Sequence, residues 1–190
     1  GDPAATQAIM TAATHTDGEV REASFSALGL LPGTLDTALL LGKGAGSSGE
    51  EAKNARQALA RLNGPEVSAT ILARPERGEP AARVVWLEQL ALRNMTEALP
   101  LLLRTRADPE LSVRLAALGA LGDIAPPSEQ KALLDWTIEA RDDSEQTRAL
   151  RSVVNVTLRN PDVDERGAML YTLIESAAPD LAVRLLPALG

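Results

Sequence analysis

Leu111-Ser112-Val113-Arg114-Leu115-Ala116-Ala117-Leu118-Gly119-Ala120-Leu121-Gly122 is the stretch on which the fold turns. Leu111, Leu115, Leu118 and Leu121 recur at the spacing that puts them on one face of an α-helix. Stepping back from Leu121 by 31 residues reaches Leu90, then Leu59, then Leu28. Two more apolar columns keep the same step: Leu40, Ile71, Leu102 and Leu133, and beside them Leu41, Leu72, Leu103 and Leu134. Small residues (Gly29, Ala60, Ala91, Gly122) follow the first column, and Arg21, Arg83 and Arg114 share another. Three apolar columns in register over four copies define an internal repeat, and a period of this length belongs to stacked supersecondary units.

Each copy reads as two helices. The first, A, is predicted over 18–30, 49–62, 79–92 and 109–122; the second, B, over 35–43, 65–74, 95–106 and 127–140. Breaks fall where the chain carries breakers: Pro32-Gly33, Asn63-Gly64, Arg93-Asn94 and Ala125-Pro126-Pro127 within copies, and Gly44 to Gly49, Pro75 to Pro80, Ala107 to Pro109 and Asp142-Asp143 between them. Pro65 stands at a first helical turn, where its missing N–H costs nothing. The register is expected to break after residue 140. A fifth copy then has helix A near 144–159 and helix B near 163–176, with a shift of 37 carrying Leu121 to Leu158 and Leu133 to Leu170. Pro179 to Leu186 reads as the start of a sixth A helix, and residues 3–14 as a closing B helix. A single hairpin of this kind cannot bury its apolar face alone, whereas stacked neighbours can. The expected fold is therefore all-α, a right-handed α-solenoid of about five antiparallel helix pairs, read as one repeat domain over 1–190.

Glu19-Val20-Arg21 to Ala27-Leu28-Gly29 and Ser112-Val113-Arg114 to Ala120-Leu121-Gly122 resemble the A helix of bacterial HEAT-like repeats. The second copy departs from that pattern, with Glu51-Ala52 in place of Val-Arg. The resemblance implies an armadillo-type superhelix whose B helices line the concave side. It names no chemistry.

Composition bounds what such a stack can do. The 190 residues are 45% apolar, rich in Ala, Leu and Val and only 2% aromatic, which suits close-packed helices better than sheets. No apolar stretch approaches the roughly 20 residues of a membrane span, so no membrane insertion is expected. A net charge of −7 argues against a nucleic-acid surface, which needs a basic excess. Cysteine is absent, which excludes disulfides and thiolate metal sites and leaves cytoplasmic and exported locations equally open. The chain begins Gly1-Asp2-Pro3 and ends at Leu189-Gly190 inside an apolar pattern, from which an excised piece of a longer protein is expected.

Several features could carry chemistry. Gly44-Ala45-Gly46-Ser47-Ser48-Gly49 matches the dinucleotide fingerprint, with Thr37 to Leu41 and Ser68 to Ala73 as strands and Glu76 as the ribose acid. The repeat columns run through both would-be strands, so an inter-repeat loop is the better reading. His15 is the only histidine, so neither a paired-histidine metal site nor a Ser-His-Asp triad can be assembled. Asp162-Val163-Asp164-Glu165 and Glu50-Glu51 place acids where they cap helices. Arg21, Arg83 and Arg114 read as an inter-repeat ladder, each guanidinium tying neighbouring loop carbonyls or acids, rather than as an anionic-ligand groove. Asn94-Met95-Thr96 and Asn155-Val156-Thr157 match the glycosylation pattern by coincidence, the second within a helix.

With Leu133 and Leu134 buried, Ser128, Lys131, Asp135 and Glu139 fall on the opposite stripe of their B helix, and Glu97, Pro100 and Arg104 on that of the preceding one. Trp136 is a candidate aromatic anchor beside that stripe. The expected partner-binding residues are thus Glu97, Arg104, Lys131, Asp135, Trp136 and Glu139. The expected function is a protein–protein interaction or scaffold module that catalyses nothing and needs no cofactor. Its partner would be a protein or peptide, and uncapped ends would favour self-association. The alternatives are an accessory domain of a helical-repeat enzyme, a lyase or glycosylase relative, and a nucleotide-binding domain built on the 44–49 loop.

Overall fold

A computed structural model describes residues 2–176 together with Pro179, Ala182 and Val183. Eleven α-helices are described: α1 Pro3–Ala12, α2 Gly18–Leu28, α3 Leu35–Ala45, α4 Gly49–Arg61, α5 Pro65–Ala73, α6 Pro80–Leu92, α7 Leu99–Arg104, α8 Leu111–Ile124, α9 Gln130–Ile138, α10 Asp143–Leu158 and α11 Val163–Ser176. Short 3-10 turns flank α7 and precede α9. No strand occurs among the described residues. The fold is an α-solenoid of HEAT-like helix pairs, in two compact units, Gly1–Ala98 and Leu99–Gly190.

Helix starts follow local chemistry. Asp17 and Asp142 turn their carboxylates onto free N–H groups of α2 and α10. Thr34 and Thr37 cap α3 reciprocally. Pro65 and Pro80 sit in the first turns of α5 and α6.

In the first unit α4 packs on α2 and α3, α5 on α3, and α6 on α3, α4 and α5, so each hairpin leans on its predecessor. In the second unit α10 packs on α8 and α9 in the same way. The Leu28, Leu59, Leu90 and Leu121 column has no exposed surface at all. The small-residue column explains how closely the A helices approach. A Cβ on Gly29 would stand 2.7 Å from the Ala58 Cα of α4, and one on Gly122 would stand 2.8 Å from the Ser152 Oγ of α10.

The B-helix columns are less uniform than the sequence suggests. Ile71, Leu102 and Leu133 are buried and Leu72, Leu103 and Leu134 half-buried, but α3 reverses the order, with Leu41 inside and Leu40 half-buried. The rotation turns the glycine-bearing face of α3 inward, where Gly42 meets the Trp86 ring and a Cβ on Gly44 would stand 2.6 Å from Phe25. The helix accordingly runs on to Ala45, past the expected break at Gly44.

The slip in register after residue 140 is smaller than expected, one residue at the core of α10 rather than six. Arg114 pairs with Glu145, 31 residues on where Arg21 and Glu51 are 30 apart, and the buried residues of α10 include Leu150 and Val153, steps of 32 from Leu118 and Leu121. Leu158, the partner expected at a shift of 37, is 50% exposed. The added length lies at the C-terminal end of α10. Leu170 and the Pro179 to Leu186 helix start, with Arg184, lie outside what is described, apart from the helical backbone at Leu170, Pro179, Ala182 and Val183.

Candidate functional site

The most concentrated chemistry in the second unit surrounds Glu145 on α10. Arg114, on α8, meets it with two parallel bonds, Nε to Oε1 at 2.9 Å and Nη2 to Oε2 at 3.0 Å. The Trp136 indole N–H of α9 donates to Oε1 at 2.7 Å, and the Arg141 backbone N–H donates to Oε2 at 3.2 Å. All three side chains are buried. Burial alone would raise the Glu145 pKa, but the Arg114, Trp136 and Arg141 hydrogen bonds hold it below the ordinary carboxylate value. The other guanidinium nitrogen of Arg114 donates to the Asp108 and Pro109 carbonyls in the loop before α8.

The first unit repeats the device with different exposure. Arg21 donates to Glu51 at 2.7 Å and to the His15 and Thr16 carbonyls, and Glu51 raises its pKa. Arg83 donates to the Pro75 carbonyl at 2.7 Å. The arginine column therefore ties loop carbonyls and acids of its own and the next repeat. It also accounts for the departure in the second copy: Glu51 replaces the expected valine and receives Arg21.

A second arginine pair was not anticipated from the sequence. Arg93, after α6, donates to the Leu59 and Leu62 carbonyls at the end of α4, at 2.5 and 2.7 Å. Arg159, after α10, donates to the Gly122 and Ala125 carbonyls at the end of α8. Each guanidinium closes the C-terminus of the preceding A helix, where free carbonyls and the helix dipole favour a cation. Burial lowers the Arg93 pKa, and its Nε is buried without a partner. The signal available was an arginine just past the last turn of an A helix in the third and fifth copies.

Of the predicted partner-binding residues, Lys131 and Asp135 lie on α9 with Lys131 reaching Asp135 at 3.0 Å, and Glu139 is exposed just past the end of that helix. Arg106 reaches Glu139 at 3.4 Å. Arg104 is exposed at the end of α7. Glu97 is exposed in the first unit, beside a cleft of about 430 Å³ lined also by Asn63, Ser68 and Arg93. Trp136 is placed differently: it is 1% exposed and belongs to the Glu145 cluster, so it offers no surface to a partner.

The glycine fingerprint does not form a nucleotide loop. Residues 37–41 and 68–73 are helical, and Gly44 lies within α3. What does form there is a cleft of about 390 Å³ between the end of α3, the loop after α5 and the start of α6, bordered by Lys43, Arg74, Arg77 and Trp86. His15 accepts the Asp17 N–H through Nδ1, a local turn contact. Among the described residues no group of three or more His, Asp or Glu is placed to hold a metal, and no helix is long and apolar enough to cross a membrane.

An all-helical repeat of this kind is what comparison with known proteins also returns. Residues 98–127 match the family model for the HEAT repeat. The chain is similar in structure to one in the complex of CpcE and CpcF of phycocyanin lyase from Nostoc sp. PCC7120, with a TM-score of 0.63 and 20% sequence identity over 83% of this chain and 100% of that one. No curated protein matches. The structural likeness overturns one expectation. A chain of the same fold takes part in a lyase, so this architecture gives no ground for the reading that the protein catalyses nothing.

Proposed function

We propose that the chain is an enzyme-associated helical-repeat protein that works in complex with a second protein, in the manner of a lyase subunit rather than a passive scaffold. The observation that carries this reading is the fold likeness to a chain of a two-protein phycocyanin lyase complex, which extends over most of this chain and all of the other. Two features agree with a partner-dependent role. The sequence has one histidine and no cysteine, so a histidine-pair or thiolate centre would need groups from a partner or substrate. Lys131 and Asp135 on α9, with Glu139 just past its end, also present a polar, mixed-charge surface, the composition of an interface rim.

The test is reconstitution. The chain is co-expressed with a second HEAT-like protein encoded in the same genome, and the mixture is examined by analytical ultracentrifugation. The complex is then incubated with phycocyanin while its visible absorption is followed. A stoichiometric complex that changes the phycocyanin spectrum, where neither protein does so alone, is the expected result. A monomer that leaves the spectrum unchanged removes the proposal. Lys131→Glu/Asp135→Arg tests the α9 face separately: unchanged pairing would take that face out of the interface.

A further inference from the structure

The cleft between α3 and α6 is where this acidic chain gathers cations that it does not use. Lys43 projects from the last turn of α3, Arg74 stands at the end of α5, and Arg77 lies in the loop between α5 and α6. None of the three makes an ion pair or a side-chain hydrogen bond among the described residues. That contrasts with Arg21, Arg93, Arg114 and Arg159, all of which are engaged in holding repeats together. One carboxylate, Glu79, faces the same cleft, which leaves an excess of positive charge in a protein of net charge −7. The loop that carries Arg77 is held in shape rather than left loose. The Arg77 N–H donates to the Arg74 carbonyl at 3.0 Å, Arg83 ties the Pro75 carbonyl, and Gly78 takes φ +92, which a side-chain residue would resist.

We propose that this cleft docks an acidic peptide segment of a partner protein, in which carboxylates flank a small apolar side chain. The charge asks for carboxylates. The floor asks for something small: Leu39 and Ala82 are half-buried there, and Trp86, only 4% exposed, offers almost no ring face for stacking. The cations stand on the rim of an open cleft instead of enclosing it. A small molecule would remain largely in water there, whereas ligand sites cover most of what they bind. A peptide gains by running past the cleft on both sides. Rim charges of this type act mainly through steering and screened attraction, so binding should be salt-sensitive. This surface shares no residue with the α9 face, and the inference does not depend on the lyase reading.

The test is fluorescence anisotropy on the whole chain with a short fluorescein-labelled peptide of alternating glutamate and valine, and its glutamine counterpart as control. The glutamate peptide is expected to bind at least about tenfold tighter than the control, a difference of ~1.4 kcal/mol. Lys43→Ala/Arg74→Ala/Arg77→Ala should remove that margin with an unchanged circular dichroism spectrum. Arg56→Ala/Arg61→Ala, on exposed α4 positions, should not. Equal affinity for the two peptides overturns the proposal, and so does a cleft triple variant that binds normally. Complete displacement by millimolar citrate or phosphate would show a small-anion site instead, and preference for a single-stranded oligonucleotide would show a nucleic-acid site.

Discussion

Glu145 shows how much one residue can hold in a stack of short helices. Its carboxylate joins α8, α9 and the α9–α10 loop through the buried Arg114 and Trp136 side chains and the backbone N–H of Arg141. Removing one partner of a buried, bidentate pair leaves the other charge uncompensated, which typically costs 3–5 kcal/mol. Glu145→Gln should therefore lower the stability of the second unit by about 3 kcal/mol in urea unfolding at pH 7. The pKa direction sets how this varies with acidity. The folded-state value lies below the unfolded one, so the Glu145 contribution is complete above the ordinary value of 4.5 and disappears as pH falls through the folded value. The gap between wild type and Glu145→Gln should be constant from pH 8 to pH 6 and shrink below about pH 4. A gap that widened on acidification would contradict the assignment. Gly42 makes the opposite kind of case. Alanine in a helix is normally better than glycine by about 1 kcal/mol, but a Cβ at this position would run into the Trp86 ring. Overpacking costs about 1–3 kcal/mol, so Gly42→Ala should destabilise the first unit. Trp86→Leu combined with it should cost less than the sum of the two single changes, since they share one contact.

At the scale of the helix, the two unanticipated arginines act as caps from outside the helix they close. Hydrogen bonds from a charged donor contribute about 1.5–3 kcal/mol. Arg159, with both terminal nitrogens on carbonyls of α8, should contribute about 2 kcal/mol, read as the loss in Arg159→Met. Arg93→Met should lose less, because burial disfavours its charge and its Nε has no partner. Equal losses would argue against that account. These caps also mark where reading from the sequence stopped. The A helices were legible because Leu28, Leu59, Leu90 and Leu121 are all fully buried, and a fully buried column tolerates little but one type of residue. The B helices were half legible, since α3 is rotated by its contacts with Phe25 and Trp86, and no local pattern encodes a rotation imposed by a neighbour. The arginine ladder could be read because its carbonyl partners lie only a few residues upstream of each arginine, whereas the caps reach back a whole repeat. Trp136 was placed on the surface because residues at B-helix flanks look alike in sequence. Its ring is buried in the core and its indole N–H meets Glu145 of the next repeat, a contact no local pattern encodes. The cation cleft was missed because Lys43, Arg74 and Arg77 belong to no column and come together only in the folded chain.

The whole chain is built from devices that each join a repeat to the next: Arg21 to Glu51, Arg93 to the end of α4, Arg114 to Glu145, Arg159 to the end of α8. In such an array stability is a sum of repeat terms and nearest-neighbour interfaces, and damage to one interface is felt chiefly by the repeats that share it. That gives a prediction for the molecule as a whole. In Glu145→Gln, hydrogen exchange should accelerate at the amides of α8, α9 and α10, which meet at the lost contact, and remain at wild-type rates in α2, α3 and α4. Gly42→Ala should do the reverse, loosening α3 and its neighbours and sparing α10. Combined, the two changes should add to within about 0.5 kcal/mol, the tolerance for sites with no shared partner. Hydrogen exchange with mass spectrometry at a denaturant concentration below the unfolding midpoint reads both variants region by region. If either substitution accelerates exchange evenly along the whole chain, the protein unfolds as one cooperative block, and the nearest-neighbour account of its stability is wrong.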